Sequence, residues 1–157
     1  MKGIKWTELL IFVIGTELVG ALSALFAGDF SSFYSGLNQP PLAPPGIVFP
    51  IVWTILYALM GISAYLIYDS EDISGERSEA LGIYAAQLFV NFMWSIVFFH
   101  FEKPEAAAVV IILLAVLVAA MILKFRKISP AAAYLNIPYL LWVIFAAYLN
   151  IGVVVLN

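Results

Sequence analysis

Cysteine is absent from this 157-residue chain, which removes disulfides, thiolate metal sites, iron–sulfur clusters and thiol nucleophiles from its chemistry. Charge is scarce as well. Acidic and basic side chains make up 11% of the residues, and ten acids against seven bases leave a formal net charge of −3, so no basic patch exists for nucleic acid. The single histidine, His100, cannot build a multi-histidine metal site, and no metal or cofactor is expected. Polar surface is the largest deficit. With 64% hydrophobic residues and a mean hydropathy of +1.05, the chain cannot coat a soluble globule and belongs in a bilayer.

What is present divides into five apolar stretches, about 7–27, 47–68, 81–101, 105–123 and 130–156. About twenty residues rising 1.5 Å each cover the roughly 30 Å of a hydrocarbon core. The expected architecture is a single all-α integral membrane domain over 1–157, a five-transmembrane-helix bundle with a long proline-rich loop between the first and second helices. Lys2 and Lys5 ahead of an apolar run imitate a signal peptide, but the run is long, carries Glu17 and lacks a small-residue cleavage site. Counting bases on the side of the N-terminus gives Lys2, Lys5, Arg77, Lys124, Arg126 and Lys127, against Lys103 alone on the other. The N-terminus is therefore expected in the cytoplasm, with the protein in the cytoplasmic membrane.

The stretch QPPLAPPGIVFPIVWTILYALMG, Gln39 to Gly61, runs a stiff proline segment into an aromatic helix. Each proline loses a donor and fixes φ, and Trp53 and Tyr57, four residues apart, stack on one helical face. That combination predicts half of a pocket and its cover, the cover being the loop 28–46. The loop aromatics Phe30, Phe33, Tyr34 and Phe49 fit either a pocket cover or an interfacial belt. In the third stretch Tyr84, Gln87, Asn91, Trp94 and Ser95 fall at offsets of three and four and must face the bundle, because lipid would leave the amides unpaired. Asn91 serves either a ligand or a neighbouring helix. The fourth stretch, AAAVVIILLAVLVAAMIL, is apolar all round and predicts a structural helix. In the fifth, Pro138 should kink the helix by removing the bond to the carbonyl of Tyr134, re-aiming Tyr139 and Trp142; Trp142, Ala146 and Asn150 then align at four-residue steps.

Small residues predict close approaches at Gly20, Ala24 and Gly28, with Ser23 and Ala27 beside them, and at Gly82 and Ala86, which mark either a dimer face or packing within one protomer. Glu17 is a functional candidate because a membrane carboxylate is costly, yet no base lies within the spans to pair with it. His100, beside Glu102 and Lys103, reads as interfacial.

Three segments in order, PPLAPPGIVFPIVWTILYALMG, QLFVNFMW and PYLLWVIFAAYLN, resemble the signature segments of the translocator protein family, also called tryptophan-rich sensory proteins or peripheral-type benzodiazepine receptors. The resemblance spans essentially the whole chain. It implies a five-helix membrane bundle, often a homodimer, with one ligand pocket beneath the first loop that takes porphyrins such as protoporphyrin IX and isoquinoline or benzodiazepine-type drugs. Carried over by position, the ligand-binding residues are Trp53, Tyr57, Gln87, Asn91, Trp142 and Ala146, closed by Tyr34, Gly36 and Leu37. Certain bacterial members are reported to degrade protoporphyrin IX in light and oxygen, which would make Trp53 and Trp142 the catalytic candidates. The chain departs from the family in Glu17 and in the absence of a base after Tyr148, where the mammalian cholesterol motif needs one.

Three functions stay open: a receptor or carrier of a planar apolar molecule, a photo-oxidative porphyrin-degrading enzyme, and a structural membrane subunit. Enzymatic chemistry through a general acid, base or metal is not among them, because the expected inward faces carry no histidine, cysteine or carboxylate pair. A bound porphyrin would have to act as its own photosensitiser.

Overall fold

The computed structural model describes residues 3–71 and 75–157. Lys2 and positions 72–74 of the acidic loop therefore lie outside the described residues. The chain folds as helices throughout: α1 (Trp6–Ala27), α2 (Phe30–Gly36), α3 (Val48–Asp69), α4 (Arg77–Ser95), α5 (Pro104–Ile128), α6 (Pro130–Leu135) and α7 (Ile137–Leu156). A π-helical turn over Ile96–His100 prolongs α4, and α6 with α7 forms one span, so that five segments among the described residues are long and apolar enough to cross a membrane.

Local chemistry explains the boundaries. Ser129 caps α6 by accepting from the Ala132 N–H (3.4 Å), and Pro130 follows where a missing donor costs nothing. Pro104 opens α5 the same way. α5 runs on to Ile128 because Arg126 and Lys127 complement the negative end of the helix dipole. Two expectations need correction. Pro138 does not kink a continuous fifth helix: the helix ends at Leu135, Asn136 turns the chain, and Pro138 sits in the first turn of α7. Asn136 also donates through Nδ2 to Ser63 Oγ (2.7 Å) and to the Ala132 carbonyl (2.9 Å), which fixes the break against α3. The cover loop, in turn, is not irregular throughout, since Asp29 caps α2 by accepting from the Ser32 N–H.

α5 stands at the centre of one side of the bundle, packed on α4, α6 and α7. Ala107, Ile111, Leu114, Val118, Met121 and Phe125, spaced by three and four, point inward and are fully buried. α1 lies on α3 and meets the rest of the bundle more loosely. Its buried residues are small, Thr16, Gly20, Ser23 and Ala27, while Leu10, Ile14, Leu18, Leu22 and Leu25 face lipid. Gly61 lets the two backbones touch, for a Cβ there would stand 2.6 Å from the Val13 Cα. Ion pairs gather at one end of the bundle, Lys5 with Asp69 (2.8 Å) and Lys124 with Glu79 (2.8 Å).

Candidate functional site

The opposite half of the bundle, beneath α2, holds a cavity of about 120 Å³. α1 contributes a floor of small residues, Gly20, Ser23, Ala24 and Ala27; α3 contributes Phe49, Trp53 and Tyr57; α4 and its π-turn contribute Trp94, Ser95 and Phe99. The π-turn matters here. Its wider bond, Phe101 N–H to the Ile96 carbonyl (3.0 Å), lets consecutive rings serve different places, Phe98 in the core and Phe99 on the cavity wall. Trp53 stacks on Tyr57 with ring centres 5.6 Å apart at 30°, and lies 6.2 Å from Trp94 and 6.1 Å from Tyr139. The wall is thus a continuous aromatic surface with few polar groups, the Ser23 hydroxyl being buried without a hydrogen-bond partner.

Behind that wall runs a polar chain. Tyr57 donates to Asn91 Oδ1 (3.2 Å), Asn91 Nδ2 donates to Tyr139 OH (2.8 Å), and Tyr139 donates to Gln87 Oε1 (2.7 Å). Gln87 and Asn91 face inward, yet they line none of the three cavities described here; their polar atoms tie α3, α4 and α7 together. Trp94 Nε1 is likewise held, by Asn150 Oδ1 at 3.1 Å, and Asn150 donates onward to the Pro104 carbonyl (2.8 Å).

The remaining sequence candidates fall in separate places. Ala146 and Tyr34 border a second cavity of about 20 Å³, shared with Gln39, Asn150 and the same Phe49, Trp94 and Phe99. Trp142 faces a third, a groove of about 420 Å³ between α3 and α7 lined by Ile55, Leu59, Leu141 and Phe145. Trp53 and Trp142 therefore line different cavities, and Phe49, which borders the first together with Trp53, meets Trp142 at 5.9 Å. Leu37 packs against the core, and Gly36 is exposed. The loop aromatics pack onto the bundle beside the cavity: Phe30 meets Phe99 (5.3 Å), Phe33 meets Phe98 (5.8 Å) and Tyr34 meets Phe49 (5.2 Å). Tyr34 also donates to the Pro44 carbonyl (3.0 Å), and its burial raises the phenol above its ordinary value.

Gly82 and Ala86 are exposed, and a Cβ at Gly82 would meet nothing, so packing within the protomer does not explain them. Glu17 is half-buried and makes no hydrogen bond or ion pair among the described residues. His100 is exposed at the end of the π-turn. Residue patterns gave no sign of three features: the Thr16 to Tyr84 hydroxyl bond between α1 and α4, the Ser63 to Asn136 bond, and the tie of the cover to α7. A lone hydroxyl in an apolar helix carries no periodicity from which to infer a partner.

Residues 11–156 match the model of a family described as TspO/MBR. Among similar proteins, a tryptophan-rich protein TspO of Chlorobaculum tepidum is 37% identical over 127 residues, covering 81% of this chain and 80% of the relative. The translocator protein of Ovis aries is 38% identical over 149 residues, 92% of this chain and 87% of its own length. A tryptophan-rich sensory protein of Cereibacter sphaeroides is 36% identical over 152 residues, 97% and 92% of the two chains.

Proposed function

The chain belongs to the TspO/MBR family of integral membrane proteins, and from that premise we propose that it is a receptor or carrier for a planar apolar ligand, a porphyrin such as protoporphyrin IX or an isoquinoline or benzodiazepine-type drug. The observation that carries this reading is the aromatic wall of Trp53, Tyr57 and Trp94 facing an apolar cavity floored by small residues. Stacked rings offer area to a flat π-system at low entropic cost, and a concave apolar site with few polar groups suits such a ligand. At about 120 Å³ the cavity is smaller than the roughly 300–1,000 Å³ of sites for drug-sized molecules. Ligand entry must therefore widen it.

The same wall supports a second reading, photo-oxidative breakdown of a bound porphyrin. Trp53 lies 5.6 Å from Tyr57 and 6.2 Å from Trp94 by ring centres, and all three line the cavity where a bound porphyrin's excited state, or the reactive oxygen it generates, would meet them. An absorbance time course of the solubilised protein with protoporphyrin IX, in light and dark, separates the readings. Saturable tryptophan quenching with an unchanged porphyrin band supports the receptor; light-dependent loss of the band, abolished by Trp53→Phe, supports the enzyme; no saturable binding leaves a structural subunit. We place the protein in the cytoplasmic membrane with its N-terminus inside, and its second copy against the exposed Gly82 and Ala86 face of α4.

A further inference from the structure

We infer that Phe49 is the residue that sets the size of ligand the bundle accepts, a movable partition between the two inner cavities and the groove beyond. The inference rests on the pocket reading above and adds to it the side chain that must move. Three residues, Phe49, Trp94 and Phe99, border both the 120 Å³ and the 20 Å³ cavities, so these rings alone divide them. They are not equally free. Trp94 is pinned through its indole N–H to Asn150, and Phe99 is wedged against Trp94, Phe98 and Phe30. Phe49 also meets Phe30 (6.3 Å) and Tyr34 (5.2 Å), but of the three rings it is the one that leans edge-on against Trp142, at 5.9 Å and 66°.

Trp142 is a yielding neighbour. Its indole Nε1 is buried without a hydrogen-bond partner, and on its far side lies the groove of about 420 Å³. A shift of the Phe49 and Trp142 rings toward that groove would join the inner cavities and draw on its volume. No hydrogen bond breaks in the process, because neither ring holds one. The ligand class follows: a bicyclic aromatic needs only a modest widening of the first cavity, whereas a tetrapyrrole needs the partition displaced. The newly opened end offers one waiting polar group, the Gln39 Oε1 acceptor, which borders the second cavity buried and unpaired while Gln39 Nε2 donates to the Tyr34 carbonyl (2.7 Å).

If the displaced state is a minor one at about 10% or less, the wild type loses about tenfold in apparent affinity for the larger ligand, and cutting back the ring restores it. The test compares naphthalene and protoporphyrin IX as quenchers of tryptophan fluorescence in the dark, on wild type, Phe49→Ala, Phe49→Leu and Phe49→Trp in nanodiscs. The expected result is a ratio of protoporphyrin IX to naphthalene affinity about tenfold higher on Phe49→Ala than on wild type, intermediate on Phe49→Leu and below wild type on Phe49→Trp. Naphthalene reports an intact pocket; if Phe49→Ala loses it through misfolding, the contrast between Phe49→Leu and Phe49→Trp carries the same prediction. Porphyrin affinity indifferent to residue 49, with both probes binding the wild type, overturns the partition and leaves the pocket reading standing. Quenching by neither probe in any variant overturns both.

Discussion

Gly20 has no side chain because the Tyr57 ring occupies the place of one: a Cβ there would stand 2.3 Å from Tyr57 Cε2. Gly20→Ala should push the ring away from α1, loosen its bond to Asn91 and cost about 1–3 kcal/mol as an overpacked core does, read as a lower melting temperature in detergent. At Tyr139, fully buried, the hydroxyl both accepts from Asn91 and donates to Gln87. Tyr139→Phe leaves an amide donor and a carbonyl oxygen buried and unpaired, at about 1–3 kcal/mol each at most. Combined with Asn91→Leu, the loss should be smaller than the sum of the two single losses, since both ends of the Asn91–Tyr139 bond are then gone; a double-mutant cycle of thermal midpoints that is strictly additive would contradict the network. The inward face of α4 was readable from Gln87 and Asn91, because amides recurring at three and four cannot all face lipid. Their partners were not readable, since a hydroxyl at Tyr57 or Tyr139 satisfies an amide on any helix that tertiary packing brings within 3 Å.

The cover behaves as an element of its own. α2 and the proline segment are tied to the end of α7, where Asn157 accepts from the Asn38 N–H (2.9 Å) and donates to its carbonyl (3.0 Å), and Tyr148 donates to the Pro41 carbonyl (2.8 Å). Gly152 makes room for Pro40, for a Cβ would meet the proline ring at 2.6 Å. Gly152→Ala should therefore lift the segment, at a cost of about 1–3 kcal/mol, and raise amide exchange in residues 37–44 without altering α5. Alkali should act at the other end of the cover. Burial holds the Tyr34 phenol above its ordinary value, so the folded state keeps a proton that the unfolded state gives up, and the stabilisation from this group fades as pH rises past about 10. Tyr34→Phe should remove that alkaline step in amide exchange over 30–44. Stiffness of the cover was legible in its prolines; its docking partner was not, because Asn157 stands more than a hundred residues away and carries no motif.

At the scale of the molecule, orientation rests on Lys5, Arg77, Lys124, Arg126 and Lys127 lying at one end of the bundle with Lys103 at the other. The absence of native cysteine makes this testable without background. Gly36→Cys should react with a membrane-impermeant maleimide on intact cells, and Ser78→Cys only after permeabilisation; the reverse pattern would overturn the assignment. The exposed Gly82 and Ala86 face is the one proposed above to meet a second copy. Gly82→Leu should leave the protomer folded, since its Cβ meets nothing; the proposed dimer face predicts a larger monomer share for this variant than for the unsubstituted chain in mass measurements of nanodisc-embedded protein.

Sequence alone determined the solvent, the number of spans, the inward face of α4 and the family, because each depends on composition, on length against the bilayer or on a period of about 3.6 residues. Tertiary structure decided how the aromatic candidates divide. Trp53 and Trp142 share a residue type, yet they line different cavities. Which side of a helix a ring occupies follows from its period, but which cavity it enters depends on the helix beyond it, and no local pattern encodes that distance.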